Sequence, residues 1–244
     1  MRIGFIGFGK VNQRIYKLLK DFDFDFVTSI DERSLKTQQD IFNTTISLEN
    51  SFAEVCYTSD VVISATSPKS ALEIARRYGK LSQGVYLDLN NVSPQTMKDM
   101  DKYIDKLVDG AIIGNIENEN PSVYLSGEFV DELSFLNEVF DIHRVSNNIG
   151  DAAMLKLIRS TYTKTLSATL IETFGLAEKY GLKKELLEIL QITEGDEFIK
   201  KSESRVSNTL KASKRKTEEL EEILEYFSDD DLTMVEAALK KISQ

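Results

Sequence analysis

The residues best suited to chemistry begin at the seventh position. In MRIGFIGFGKVNQRIYKLLK an apolar strand enters a turn holding Gly7 and Gly9, and a polar-faced helix follows. Glycines let the backbone approach a pyrophosphate closely, and the free amides and positive dipole end of the next helix favour its charge. Gly7, Phe8, Gly9, Lys10 and Val11 therefore form a candidate cradle for a dinucleotide. The third position of G-x-G-x-x-G is Asn12, where glycine or alanine is usual, so the pattern is matched only in part. A tight strand-to-helix turn in some other doubly wound protein is the alternative reading.

The second strand, residues 24–28, should end beside the ribose of such a ligand, and the chain there reads TSIDERS. Asp31 and Glu32 could accept from ribose hydroxyls. Ser29 sits at the strand end, however, and Arg33 with Ser34 offers a cation and a hydroxyl for a 2′-phosphate, so NADP is the preferred cofactor. Two further strand ends, SATSPKSAL and YLDLNNVSPQ, open through Ser-x-Pro-type turns into helices. Thr66, Ser67 and Pro68 are expected along the nicotinamide side. Asn90 and Asn91 lie near them, where an amide can both donate and accept; helix capping is the competing role for this segment.

These residues need a scaffold that brings strand ends together. Short apolar runs (RIGFIGF, FDFVTSI, DVVISAT, GVYLDLN, KLVDGAII, SVYLSG) alternate with helical patterns in the first half, which predicts a parallel sheet covered on both faces. From Asp151 onward β-type runs vanish. One long helix is predicted over 152–180, then shorter ones over 183–193, 196–213, 216–226 and 230–242. The expected fold is α/β, a Rossmann-type doubly wound, mostly parallel sheet over residues 1–148 followed by an all-helical domain over 149–244.

Composition removes several classes. With 244 residues, 41% hydrophobic, the chain can bury a core. Cys56 and His143 are the only residues of their kinds, so an intrachain disulfide, a cysteine-rich metal site and histidine-based triads are not expected. A net charge of −10 opposes a nucleic-acid partner. The one basic cluster, KASKRK at 211–216, reads as a solvated helix face. No targeting ladder opens the chain and no apolar run reaches the roughly 18 residues that span a bilayer, so a cytoplasmic protein without membrane contact is expected.

The segments MRIGFIGFGKV, VVISATSPKSAL, VYLDLNNVSPQTM, KLVDGAIIGN, GDAAMLKLIRSTYTKTLSATLIET and LEILQITEGDEF, in this order, resemble the 6-phosphogluconate dehydrogenase and β-hydroxyacid dehydrogenase superfamily. They are most similar to its short, mostly archaeal NADP-binding members with a distinctive helical C-terminal domain. The resemblance implies a helical domain that makes a homodimer, a substrate site between the domains, and a lysine six residues after a glycine on the first long helix. Gly150 and Lys156 match that register, and Ser160 stands where the superfamily has asparagine. Lys156 is then the expected general acid/base. Asn90 occupies the position of the superfamily's catalytic serine and is expected as the second catalytic residue, Ile113 replaces the serine of its substrate loop, and Gly114 keeps register. Arg159, Ser160, Lys164, Gly114 and Asn90 are the expected substrate contacts, with a carboxylate or phosphate suited to Arg159. The implied activity is hydride transfer between NADP(H) and a small polar alcohol or carbonyl. Imine-reductase-like C=N reduction and a non-catalytic NADP-binding role are the alternatives.

Overall fold

A computed structural model describes residues 1–244. The contacts divide the chain into two compact units, Met1–Lys156 and Leu157–Gln244.

The first unit is built on one sheet. Its strands are β1 (Arg2–Ile6), β2 (Asp25–Thr28), β3 (Ser47–Leu48), β4 (Val61–Ser64), β5 (Val85–Asp88), β6 (Leu107–Ile113), β7 (Ser122–Ser126) and β8 (Asp141–Ser146), in the order β3-β2-β1-β4-β5-β6-β7-β8. All neighbours pair in parallel except β6 with β7, which are antiparallel. The central strands β1, β4 and β5 are apolar along nearly their whole length because helices cover both faces. The helices are α1 (Lys10–Leu19), α2 (Leu35–Phe42), α3 (Phe52–Thr58), α4 (Pro68–Tyr78) and α5 (Pro94–Met100). One core joins Phe5, Ile15, Leu19, Ile63, Leu87 and Leu125; the other joins Ile6, Val55, Val62, Tyr86, Met97 and Met100.

Reversal of strand order occurs between β1 and β4. That crevice beyond the carboxyl ends is where open α/β sheets bind ligands. Two strands escaped the sequence reading. β3 has only two residues, and β8, DIHRVS, is an edge strand with polar residues on both faces, so neither carries a hydrophobic period. His143 lies on β8, 2.7 Å from Asp141.

The second unit is helical. Helix α6 (Asp151–Lys179) is continuous for 29 residues, and α7 (Lys183–Glu194), α8 (Asp196–Lys211), α9 (Ser213–Tyr226) and α10 (Thr233–Ile242) follow. Ala168 of α6 packs with Leu220 and Ile223 of α9 and with Val235, Ala238 and Ile242 of α10. The basic cluster 211–216 is not one helix face. It straddles the turn between α8 and α9, and Arg215 and Lys216 fold back onto Glu219. No helix is long and apolar enough to cross a membrane, and no cluster of three or more His, Cys, Asp or Glu is placed to hold a metal.

Candidate active site

The glycine turn forms the base of the site. Gly7 has φ +82°, and a Cβ there would meet the Ala65 carbonyl at 2.6 Å, so glycine is required for folding. Gly9 differs: its φ is −82° and a Cβ would have nothing within 4 Å. Packing therefore does not require a glycine here. Gly9 is the N-cap of α1, which has neither a side-chain cap nor an acidic residue in its first turn, so the leading N–H groups are not taken by a side chain. That is the chemistry a pyrophosphate fits. Phe8 and Val11 turn into the protein and contribute shape rather than side-chain contact, while Lys10 is exposed, 3.9 Å from Glu117.

Asn12, the departure from the glycine pattern, proves to be a fastening. It is fully buried, and its Nδ2 donates to the carbonyls of Gly7 at 2.7 Å and Ile63 at 3.2 Å. The amide thus ties the turn to the end of β4, which a glycine at this position could not do.

At the end of β2, Ser29 is buried and its hydroxyl accepts the Asp31 N–H at 3.2 Å. Ser34 caps α2, accepting the Thr37 N–H at 3.3 Å. The Arg33 guanidinium lies over the Phe52 ring, 5.1 Å from its centroid, with Nε donating to the Asp31 carbonyl. Stacking holds it in this loop without an acidic partner, because Glu32 pairs with Arg77 instead, at 3.3 Å. Arg77 is thus a second cation beside this loop, one that strand-end spacing gave no reason to choose.

The ends of β4 and β5 are joined through Asn90, which is 7% exposed. Its Oδ1 accepts from the Thr66 N–H at 2.6 Å and the Thr66 hydroxyl at 3.2 Å; its Nδ2 donates to Asp88 at 2.7 Å and Ser64 at 3.1 Å. All of the amide's capacity is used inside the protein. This corrects the expectation that Asn90 offers its amide to substrate: it holds Thr66 in place, and its nearest acceptor is a buried acid. Asn91 is exposed, as are Ser67, which shares a hydrogen bond with Ser70, and Pro68 at the start of α4. Burial is the main force lifting the Asp88 carboxyl to about 7, opposed by its hydrogen bonds from Asn90 and reinforced by the charge of Asp109.

Asp109 positions the lysine helix. Its Oδ2 accepts the Ala153 N–H at 2.9 Å and the Ser126 hydroxyl at 3.3 Å, and Ser126 Oγ in turn accepts the Ala152 N–H at 3.0 Å. A buried carboxylate and a hydroxyl thereby cap the start of α6. Gly150, φ +97°, lets that helix start close to α5, since a Cβ would lie 3.1 Å from the Pro94 carbonyl. Lys156 is half-buried on the second turn of α6, Arg159 is exposed and Ser160 half-buried. Gly114, φ +92°, is exposed at the end of β6. Lys164, expected as a substrate contact, lies inside the helical unit. It is 7% exposed and its Nζ lies 3.2 Å from Glu219 within the helical unit. Asp88, Asp109 and Ser126 were missed because a lone acid or serine in an apolar strand run carries no periodic signal.

Such a crevice, with its bare helix N-terminus and strand order, defines a Rossmann-type protein of the dehydrogenase and reductase kind. No family model matches the chain. It is 40% identical over 235 residues to an uncharacterised 28.5 kDa protein encoded in the 7S RNA 5′ region of Methanothermus fervidus, covering 95% of this chain and 93% of that one. A conserved protein of unknown function, whose structure is described as similar to 3-hydroxyacid dehydrogenases, superposes with TM-score 0.87 at 33% identity, covering 100% of this chain and 97% of that one. The chain belongs to the β-hydroxyacid dehydrogenase superfamily. Its fold also matches Mycobacterium tuberculosis 3-hydroxyisobutyrate dehydrogenase with L-serine (TM-score 0.78, 14% identity, 99% and 92% covered). An imine reductase from Myxococcus stipitatus in complex with NADP+ shares it as well (TM-score 0.58, 14% identity, 100% and 93% covered).

Proposed function

We propose that the protein is an NADP-dependent oxidoreductase that transfers a hydride between NADP(H) and a small polar alcohol or carbonyl compound. The observation that carries this reading is the uncapped N-terminus of α1 behind Gly7 and Gly9, where a methyl group would be accommodated by the fold but would stand where a phosphate must approach. Residues 1–148 hold the cofactor. Arg33, stacked on Phe52, faces the 2′-phosphate, with Ser34 and Ser29 shaping the loop. The nicotinamide supplies or accepts the hydride. Lys156 donates a proton to the carbonyl oxygen in reduction and takes the hydroxyl proton in oxidation. Arg159, one turn along α6, attracts the negative charge of an anionic substrate, and Asn90 acts by holding Thr66. Residues 149–244 supply substrate contacts and a homodimer interface, supported by the exposure of Leu155, Ile158 and Tyr162 on α6 and Ile189 and Ile192 on α7. Sedimentation at micromolar concentration checks the dimer, and a monomer would reject it.

The function is tested with NADPH and NADP+ against panels of aldehydes, keto acids, hydroxy acids and cyclic imines. Lys156→Met should lower turnover by about two to four orders of magnitude with NADPH affinity little changed. Lys179→Met, on the exposed far end of the same helix, should leave turnover intact. Full activity in Lys156→Met on C=N substrates would move the reading to imine reduction. NADPH binding without turnover on any panel would leave a cofactor-binding protein.

A further inference from the structure

The helical unit contains a cavity of about 210 Å³ between α6, α8, α9 and α10, and every charged residue lining it is a cation: Lys164, Arg205 and Lys216. Four polar side chains, Thr163, Ser167, Asn208 and Thr209, share the wall with Ile242. In a chain carrying −10, such a concentration of positive charge is not a by-product of composition. Two of the cations are partly answered from behind. Glu219 Oε2 lies 3.2 Å from Lys164 and 3.1 Å from Lys216, while its Oε1 is 2.9 Å from Arg215 Nε. One carboxylate is thus shared by three cations, and Glu222 adds only a more distant negative charge. Arg205 is held by a single bond to the Thr163 carbonyl at 3.2 Å.

Burying an ammonium is costly unless its charge is compensated. Burial pulls the Lys164 ammonium below the ordinary lysine value, with Glu219 opposing that pull. Glu219 itself is drawn below the usual carboxylate range although its own burial pushes the other way, because Lys164 and Lys216 outweigh it. Thr209, only 4% exposed, lies on the cavity wall. A ligand that accepts hydrogen bonds and brings negative charge would complete all of these groups together. The volume, about 210 Å³, is below the roughly 300 Å³ at which drug-sized sites begin and suits a small ligand.

We propose that this cavity is a binding site for a small, doubly charged oxyanion, of phosphate or short dicarboxylate type, held by Arg205, Lys216 and Lys164 with Thr209 as a further donor. The site lies wholly within the helical unit, and its existence does not depend on the hydride-transfer reading.

Isothermal titration of the full chain with inorganic phosphate and, separately, with malonate tests it, in buffer containing near-physiological chloride so that diffuse surface attraction is screened. One site per chain should saturate below about 10 mM for at least one probe, and the stronger probe decides between the phosphate and dicarboxylate classes. Arg205→Gln should weaken binding by at least about tenfold, as loss of a charge-assisted pair does. Lys200→Gln removes the same charge from an exposed position on α8 and should change binding by less than about twofold. Thr209→Val serves as a second variant should Arg205→Gln lose its cooperative melt; it too should weaken binding. No saturable heat with either probe, or equal weakening by Lys200→Gln, would overturn the proposal.

Discussion

Asp88 and Asp109 are register partners on the neighbouring parallel strands β5 and β6, and both carboxyls are buried. Two acids side by side in a sheet interior oppose each other's ionisation, and each is answered by a different set of donors. Asn90 serves Asp88, while Ser126 and the first turn of α6 serve Asp109. One pair of strand positions therefore steadies both the Thr66 turn and the helix that carries Lys156.

Stability should fall as pH rises through this pair. Asp88 titrates near 3.8 when unfolded and about 7 when folded, so between those values the folded protein holds the extra proton and each rise in pH removes that advantage. The melting temperature of the wild type minus that of Asp88→Asn should therefore decline between pH 5 and pH 8, by at least about 3 °C. A difference that stays flat, or climbs, would reject the assignment.

Asp109→Ala should destabilise by about 2–4 kcal/mol, because it leaves the Ala153 N–H and the Ser126 hydroxyl without their buried acceptor. Asp109→Asn keeps one acceptor oxygen and should lose less. Urea unfolding reads both, as a lowered midpoint with an unchanged slope. A midpoint for Asp109→Ala equal to that of the wild type would show that α6 is held by other contacts.

The two glycines of the turn should separate folding from binding. Gly7→Ala forces a side chain into a left-handed backbone against the Ala65 carbonyl and should lower the melting temperature sharply. Gly9→Ala meets no atom, so its stability should remain within about 1 kcal/mol of the wild type. Its NADPH affinity should nevertheless fall by at least about tenfold, since the methyl group occupies the approach of the pyrophosphate. Fluorescence titration is the check, and wild-type affinity in Gly9→Ala would remove the cradle.

The proposed preference for NADP rests on Arg33. NADPH should bind more tightly than NADH, and Arg33→Ala should remove most of that preference while leaving NADH affinity nearly unchanged. Equal affinities in the wild type would reject it. Arg77→Ala isolates the neighbouring cation, which pairs with Glu32, and should leave the preference for NADPH unchanged.

The sequence was most informative where one residue type meets a geometric demand. The β1 run with its Gly7 turn and the long apolar periodicity of α6 are such places, and both elements occur as expected. It was least informative where polar residues answer each other across distant segments. Asn12 reads as a failed glycine in one dimension, yet it reaches a carbonyl 51 positions away. Asn90 reads as an amide facing a ligand, but its donors and acceptors lie on Thr66, Ser64 and Asp88. Lys164 shows the same limit, because helical spacing says nothing of Glu219 three helices further along. β8 was hidden for another reason: an edge strand with DIHRVS has no buried face to impose a period of two.

Helix α6 begins under Asp109 and Ser126 and runs without interruption through the place where the two compact units divide. A fragment ending at residue 148 would strip two buried acceptors of the N–H groups that satisfy them, so the nucleotide-binding half carries the opening turns of α6 as part of its own interior.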